Sequence, residues 1–248
     1  MDSVKILGVP FSRLTLSDTV KLLQGKLEGE RAEGAQRGLF HLITANPEIV
    51  MAANQQPRLR EIVDAADLIT PDGIGVVLAA KWQGTHIPER VTGYDLLIGL
   101  FEGAAVRGFS LYVVGADEET NAKAVDIIKD KYAGVNVVGR HNGYFKGNQE
   151  TALVADIGRK QPDLLIVALG APNAEKFIYK HKNSLNAKVA FGVGGSLDVI
   201  AGKVKRAPVI WQKLNVEWLY RLLKQPSRWR RQLVLPKFAL TILTTKKR

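Results

Sequence analysis

What most constrains this 248-residue chain is a rhythm. Short apolar runs ending in small or polar residues recur at 39–44, 67–70, 109–115, 135–139, 163–170 and 188–192. Stretches of helical spacing fill most of the gaps, at 16–27, 47–65, 73–82, 94–107, 118–132, 148–161 and 174–183. Strands alternating with helices need crossover connections, and crossovers give a mainly parallel sheet covered on both faces. The predicted fold class is α/β, a Rossmann-like sheet with helices on both sides. The segment 25–37, with glycines at 25, 29 and 34 among charges, reads as an exposed loop. No internal repeat is present.

Composition then removes whole classes of chemistry. No cysteine occurs, so thiolate metal sites, cysteine nucleophiles and disulfide scaffolds are excluded. His41, His86, His141 and His181 are scattered, without metal-ligand spacing, and no Asp-x-Asp follows a strand, so no metal is predicted. No Gly-x-Ser-x-Gly elbow supports a serine hydrolase. The opening MDSVKILGVPFSRL lacks a basic stretch followed by a long apolar one, and no run of ~18 apolar residues occurs, so the expected location is the cytoplasm.

Open parallel sheets bind ligands beyond the carboxyl ends of their strands. Three post-strand segments stand out there. Gly192-Val193-Gly194-Gly195-Ser196 has the order strand, glycine turn, helix start, which suits a phosphate and equally suits a tight turn that binds nothing. It is neither a Walker A motif nor Gly-x-Gly-x-x-Gly. In Thr70-Pro71-Asp72-Gly73-Ile74-Gly75, Asp72 is either a helix cap or a crevice carboxylate able to act as a general base. In Thr44-Ala45-Asn46-Pro47-Glu48, Asn46 is an N-cap or a sugar ligand, and Thr44 a strand end or a second sugar contact. The first strand, 4–9, is followed by Pro10-Phe11-Ser12 rather than a phosphate turn, which argues against a dinucleotide-dependent dehydrogenase.

Charge divides the chain at residue 202. Residues 1–202 carry a net −1, whereas 203–248 hold 13 basic residues and one acid, Glu217. Within this tail, Leu214, Trp218, Leu222 and Leu223 recur at helical steps. Arg228 and Arg231 lie on one side of the next segment, and Pro236 precedes an apolar stretch at 237–244 that ends in Lys246-Lys247-Arg248. Basic, amphipathic and tryptophan-bearing is the composition of an interfacial membrane segment, each Lys or Arg contributing ~1 kcal/mol near anionic lipid. The competing reading packs Trp218, Leu222 and Leu223 on the body and leaves the charges solvated. Nucleic acid is not the expected partner, because no binding motif accompanies the charge. The expected division is a catalytic domain at 1–202 and a basic, amphipathic, helical appendage at 203–248.

Taken together, Thr44-Ala45-Asn46-Pro47-Glu48-Ile49-Val50, Pro71-Asp72-Gly73-Ile74-Gly75, Glu89-Arg90-Val91-Thr92-Gly93-Tyr94-Asp95-Leu96, Leu169-Gly170-Ala171-Pro172, the Gly192–Ser196 turn, Asp198-Val199-Ile200-Ala201-Gly202 and Arg206-Ala207-Pro208 are similar to the WecG/TagA/CpsF family of bacterial glycosyltransferases. The likeness runs in order along nearly the whole chain. It implies an inverting, metal-independent transfer, without a cofactor, of an N-acetylmannosamine-type sugar from a UDP-sugar donor to a polyprenyl-diphosphate-linked N-acetylglucosamine. Such an enzyme sits at the inner face of the cell membrane, and family members assemble as homo-oligomers.

Position by position, the resemblance makes Asp72 the general base, counts Thr44 with it as catalytic, and places Thr44 and Asn46 at the sugar. It assigns Arg90, Asp95, Gly170, Pro172, Glu175, Gly194, Gly195, Ser196 and Asp198 to substrate binding, and Arg221, Arg228 and Arg231 to an arginine set that the appendage brings to the diphosphates. Where the family shows Lys-Gln-Glu after this proline, the chain has Asn173-Ala174-Glu175. That departure bears on the donor sugar, which in relatives is N-acetylmannosamine, its uronic acid or glucose. The rival to a transferase is a polyanion-binding module whose affinity resides in the tail alone.

Overall fold

The computed structural model describes residues 2–29, 38–208, 210–211, 217–224, 229 and 233–245, with only the main chain of Arg221. Six strands form one all-parallel sheet: β3 (Phe40–Ala45), β4 (Leu68–Pro71), β5 (Phe109–Gly115), β6 (Val135–His141), β7 (Leu164–Ala168) and β8 (Val189–Gly192). Their order is β4-β3-β8-β7-β5-β6. The α/β expectation is met, and the carboxyl ends of all six strands fall on one edge.

The first strand differs from its expected extent. Residues 4–9 are not one strand but parts of a hairpin, β1 (Ser3–Ile6) paired antiparallel with β2 (Val9–Ser12). Leu7 and Gly8 form the two-residue turn, with φ of 47° and 81°. Two consecutive positive φ values match the right-handed twist of a hairpin, and a leucine at the first position conceals the signal that Asn-Gly would give. Val4, Ile6, Val9 and Phe11 share its buried face and pack on β4 and the helix that follows it.

Helices cover both faces of the sheet. On one lie α1 (Leu16–Glu28), α5 (Gly93–Gly103), α6 (Glu118–Lys131) and α9 (Ser196–Ile200). On the other lie α2 (Pro47–Gln55), α3 (Pro57–Asp64), α4 (Ile74–Trp82), α7 (Asn148–Lys160) and α8 (Asn173–His181). Strand alternation divides the core: Leu164 and Ile166 of β7 face the first layer, Leu165 and Val167 the second. The expected single helix at 47–65 breaks at Gln56, whose extended φ of −121° is what the following Pro57 imposes. The expected loop at 25–37 begins later, since α1 runs through Gly25 to Glu28; residues 30–37 lie outside the described set.

Two tail helices are described, Glu217–Lys224 and Val234–Thr245. The second starts before its expected boundary, because Pro236 falls in the first turn, where its missing N–H costs no hydrogen bond. It docks on α2 and α4 through the fully buried Phe238 and Ile242, leaving Leu240 and Leu243 exposed. In the helix Glu217–Lys224, whose Trp218, Leu222 and Leu223 the packed reading places on the body, Leu222 is half-buried. Leu223 is exposed and Trp218 partly so. No helix among the described residues is long and apolar enough to cross a membrane.

Candidate active site

A cleft of about 630 Å³ opens at the carboxyl edge, over the ends of β4, β3, β8 and β7. This is the size and place expected of a small-molecule site in an open parallel sheet. The cleft brings together residues spread over nearly 200 positions. Thr44, Asn46, Asp72, Arg90, Gly170, Glu175, Gly194, Gly195, Ser196 and Asp198 all line it. Asp95 and Pro172 do not. Arg228 and Arg231 lie outside the described residues, as does the side chain of Arg221.

Two tight approaches place the β3 and β4 turns side by side. Gly73 has φ +121°, a conformation that L side chains rarely adopt, and a Cβ on Gly75 would come 2.9 Å from Pro47 Cγ. The Asp72 N–H donates to Ala45 O at 2.9 Å, tethering one turn to the other. Of the two readings of Asp72, the structure removes the cap, because the N-cap of α4 is Gly73 with no side-chain bond. The Asp72 carboxyl is half-buried and faces the cleft.

Asn46 caps a helix and also lines the cleft. Its Oδ1 accepts the Ile49 N–H at 3.0 Å, capping α2, and the cap leaves the amide nitrogen for the cleft. Thr44 is buried and its hydroxyl points at Gly192 O across 3.5 Å. Gly93 allows this closeness, since a Cβ there would stand 3.3 Å from both the Thr44 hydroxyl and Gly192 O.

The 192–196 turn is braced from within. Ser196 spends both its N–H and its hydroxyl on Val193 O, and Val193 N–H bonds Val167 O at 3.0 Å. Among the described residues, the N–H groups of Gly194 and Gly195 take no partner, and both glycines are exposed to the cleft. Free main-chain donors therefore come from two residues rather than from the whole turn. The Asp198 carboxyl lies beside the turn, its Oδ2 3.5 Å from where a Gly195 Cβ would stand.

Among the described residues that line the cleft, two arginines supply positive charge, each held by a carboxylate. Arg90, 17% exposed, pairs at 3.2 Å with Glu217, 7% exposed, so the tail's lone acid anchors its first described helix to the cleft. Arg206 pairs with Asp95 at 2.7 Å and lies 4.6 Å over the Tyr94 ring. Asp95 thus acts indirectly: it accepts from the Thr92 hydroxyl at the start of α5 while fixing Arg206. Pro172 ends the Gly170 turn and precedes α8. Reading by residue type passed over Arg206, Tyr94 and the apolar wall of Leu78, Trp82, Trp218 and Phe238, all of which line the cleft. The Asp95–Arg206 pair spans 111 positions, and no spacing rule within one sequence brings such partners together.

Glu175, in the first turn of α8, is 4% exposed. Burial pushes its carboxyl from the ordinary 4.5 up to about 7, with its own main-chain N–H pulling the other way. Beside it, Ala174 is also buried and lines the cleft. Among the described residues, no group of three or more His, Cys, Asp or Glu is placed to hold a metal ion.

The chain matches the glycosyl transferase WecG/TagA/CpsF family over residues 4–248. It is 41% identical over 208 residues to the N-acetylglucosaminyldiphosphoundecaprenol N-acetyl-beta-D-mannosaminyltransferase of Bacillus spizizenii, covering 84% of this chain and 79% of the relative. The Bacillus subtilis protein of the same name is 38% identical over 205 residues, covering 82% and 79%. That of Staphylococcus aureus is 34% identical over 245 residues, covering 99% and 94%.

Proposed function

The chain belongs to the WecG/TagA/CpsF glycosyl transferase family, and from that premise we propose that it moves N-acetylmannosamine from a UDP donor to N-acetylglucosamine carried on diphosphoundecaprenol. The observation that carries the reading is the convergence of Asp72, Thr44, Asn46 and the Gly194–Gly195 donors in one cleft with two arginines. A base, sugar-sized polar contacts and anion-binding groups are what glycosyl transfer from a diphosphate requires.

In the proposed reaction, Asp72 takes the proton of the acceptor hydroxyl. The oxygen so activated attacks the anomeric carbon from the face opposite the diphosphate, the carbon–oxygen bond to UDP breaks, and the sugar is transferred with inversion. UDP leaves carrying the electron pair of that bond. Charge building on the leaving diphosphate is met by the Gly194 and Gly195 N–H groups and by Arg90 and Arg206, the tail arginines adding to them. This distribution of cations underlies our proposal that transfer proceeds without a metal.

Residues 1–202 are proposed as the catalytic body and 203–248 as the appendage that completes the site and docks at the membrane, where the lipid acceptor resides. Leu240 and Leu243, exposed on the helix whose Phe238 belongs to the apolar wall, support that docking. Ala174 keeps glucose and N-acetylmannosaminuronic acid as the alternative donors. The test is UDP release from a panel of UDP-sugars, with and without short-chain lipid-diphosphate N-acetylglucosamine. Release that needs the acceptor and favours one donor is expected; absence of UDP binding would refute the reading.

A further inference from the structure

Among the described residues lining the cleft, one buried side-chain oxygen has no hydrogen-bond partner. Glu175 is nine-tenths buried and lines the cleft, yet its Oε2 has no hydrogen-bond partner among the described residues. A buried carboxyl oxygen without a donor is costly, and a protein keeps one where something outside the polypeptide completes it. Neighbours cannot do so. Ala174 precedes it, and Gly192 lies against its other oxygen, where a Cβ would meet Oε1 at 3.0 Å. Along α8, Glu175 is the sole polar side chain that reaches the cleft among the described residues.

Its place in the sheet order says which part of a ligand it faces. Asp72 follows β4 and Thr44 ends β3; the glycine turn follows β8, and Glu175 comes from the helix after β7. Asp72 and Glu175 therefore stand at opposite ends of the cleft with the glycine turn between them and next to Glu175. If the turn holds the donor diphosphate and Asp72 receives the acceptor, Glu175 is on the donor side.

We propose that Glu175 is a specificity-determining residue: Oε2 accepts a hydrogen bond from a hydroxyl or acetamido N–H of the donor sugar, and this contact selects the sugar the cleft retains. The inference rests on the transferase reading and adds the residue that reads the sugar. Burial explains its leverage, because a site built around an unpaired polar group binds poorly any ligand that leaves that group unpaired. The raised pKa of the carboxyl is a consequence of the same burial and makes sugar recognition sensitive to pH near neutrality.

The test compares full-length wild type, Glu175→Gln and Glu175→Leu by calorimetric titration with UDP, UDP-N-acetylmannosamine and UDP-glucose. Leucine removes the acceptor; glutamine restores one. Expected are UDP affinities within about two-fold of wild type for both variants and, for Glu175→Leu, a loss of roughly 10- to 100-fold in the gain that the preferred sugar adds over UDP. Glu175→Gln should recover most of that gain. A merely structural role would lower the melting temperature and UDP affinity together. That outcome, or an undiminished sugar contribution in a folded Glu175→Leu protein, would overturn the inference while leaving the transferase reading intact. Wild type that binds UDP but neither of these nucleotide sugars, nor UDP-N-acetylmannosaminuronic acid, would overturn the transferase reading and this inference with it.

Discussion

Replacing Glu175 with glutamine should change not only how stable the protein is but how its stability depends on pH. In the folded chain burial raises this carboxyl from 4.5 to about 7, so between those values the native state binds the proton and the unfolded chain releases it. Stability therefore falls as pH rises through this window, the reverse of the usual carboxylate. Each pH unit is worth about 1.4 kcal/mol, so the wild type should lose roughly 2–3 kcal/mol between pH 5 and pH 8 on account of this one group. Glutamine does not titrate. Any constant cost of fitting its amide cancels when each protein is compared with itself at two pH values, and so do the contributions of every other titrating group. For a chain of this length 1 kcal/mol corresponds to about 2–4 °C, so Glu175→Gln should gain roughly 5–10 °C on wild type on going from pH 5 to pH 8. Thermal unfolding followed by circular dichroism at both pH values measures it. An equal difference between the two proteins at pH 5 and pH 8 would show that the carboxyl is not buried unpaired, and the reasoning would fail.

Three other outcomes follow from named residues. Asp72→Asn should keep UDP affinity near that of wild type and lower turnover by ~10²-fold or more, which steady-state UDP release reports. His41, buried on β3 with neither ring nitrogen partnered among the described residues, has its pKa pushed from 6.5 down to about 4, chiefly by burial and secondarily by Lys182. Here the unfolded chain binds the proton first, so stability present above pH 6.5 is lost as pH falls toward 4, and His41→Leu should flatten urea midpoints across that window by about 2–3 kcal/mol. Ile242→Ala should cost about 2–5 kcal/mol in thermal unfolding if the helix Val234–Thr245 packs as described, and an effect within about 0.5 kcal/mol would mean that the helix does not contribute to the core.

The layered fold was legible because its cause is periodic: apolar runs of strand length between helical stretches leave few alternatives to a parallel sheet. Its exceptions are local and have steric origins. A Leu7–Gly8 turn carries none of the residues that usually announce a hairpin, and the break at Gln56 is dictated by the proline after it. At the site, residues adjoining strand ends were legible because parallel topology sends every strand end to one edge. Thus Asp72, Thr44, Asn46 and the glycine turn could be chosen one segment at a time. Arg206 and the apolar wall could not, since their roles arise from contacts across more than a hundred positions. For Asn46 the cap does not exclude the cleft, because a side-chain amide has hydrogen-bonding groups for both. Asp95 is expected at the substrate; the structure sets it off the cleft lining, bonded to Arg206, which lines it.

The measurement that bears most directly on the central claim is the product itself. Full-length protein is incubated with α-linked UDP-N-acetylmannosamine and a short-chain lipid-diphosphate N-acetylglucosamine, and the disaccharide is examined by mass spectrometry and by NMR of its anomeric carbon. The account predicts one added N-acetylhexosamine in the β configuration, formed by wild type and nearly abolished in Asp72→Asn. An α-linked product, or β product formed equally well by Asp72→Asn, would contradict it.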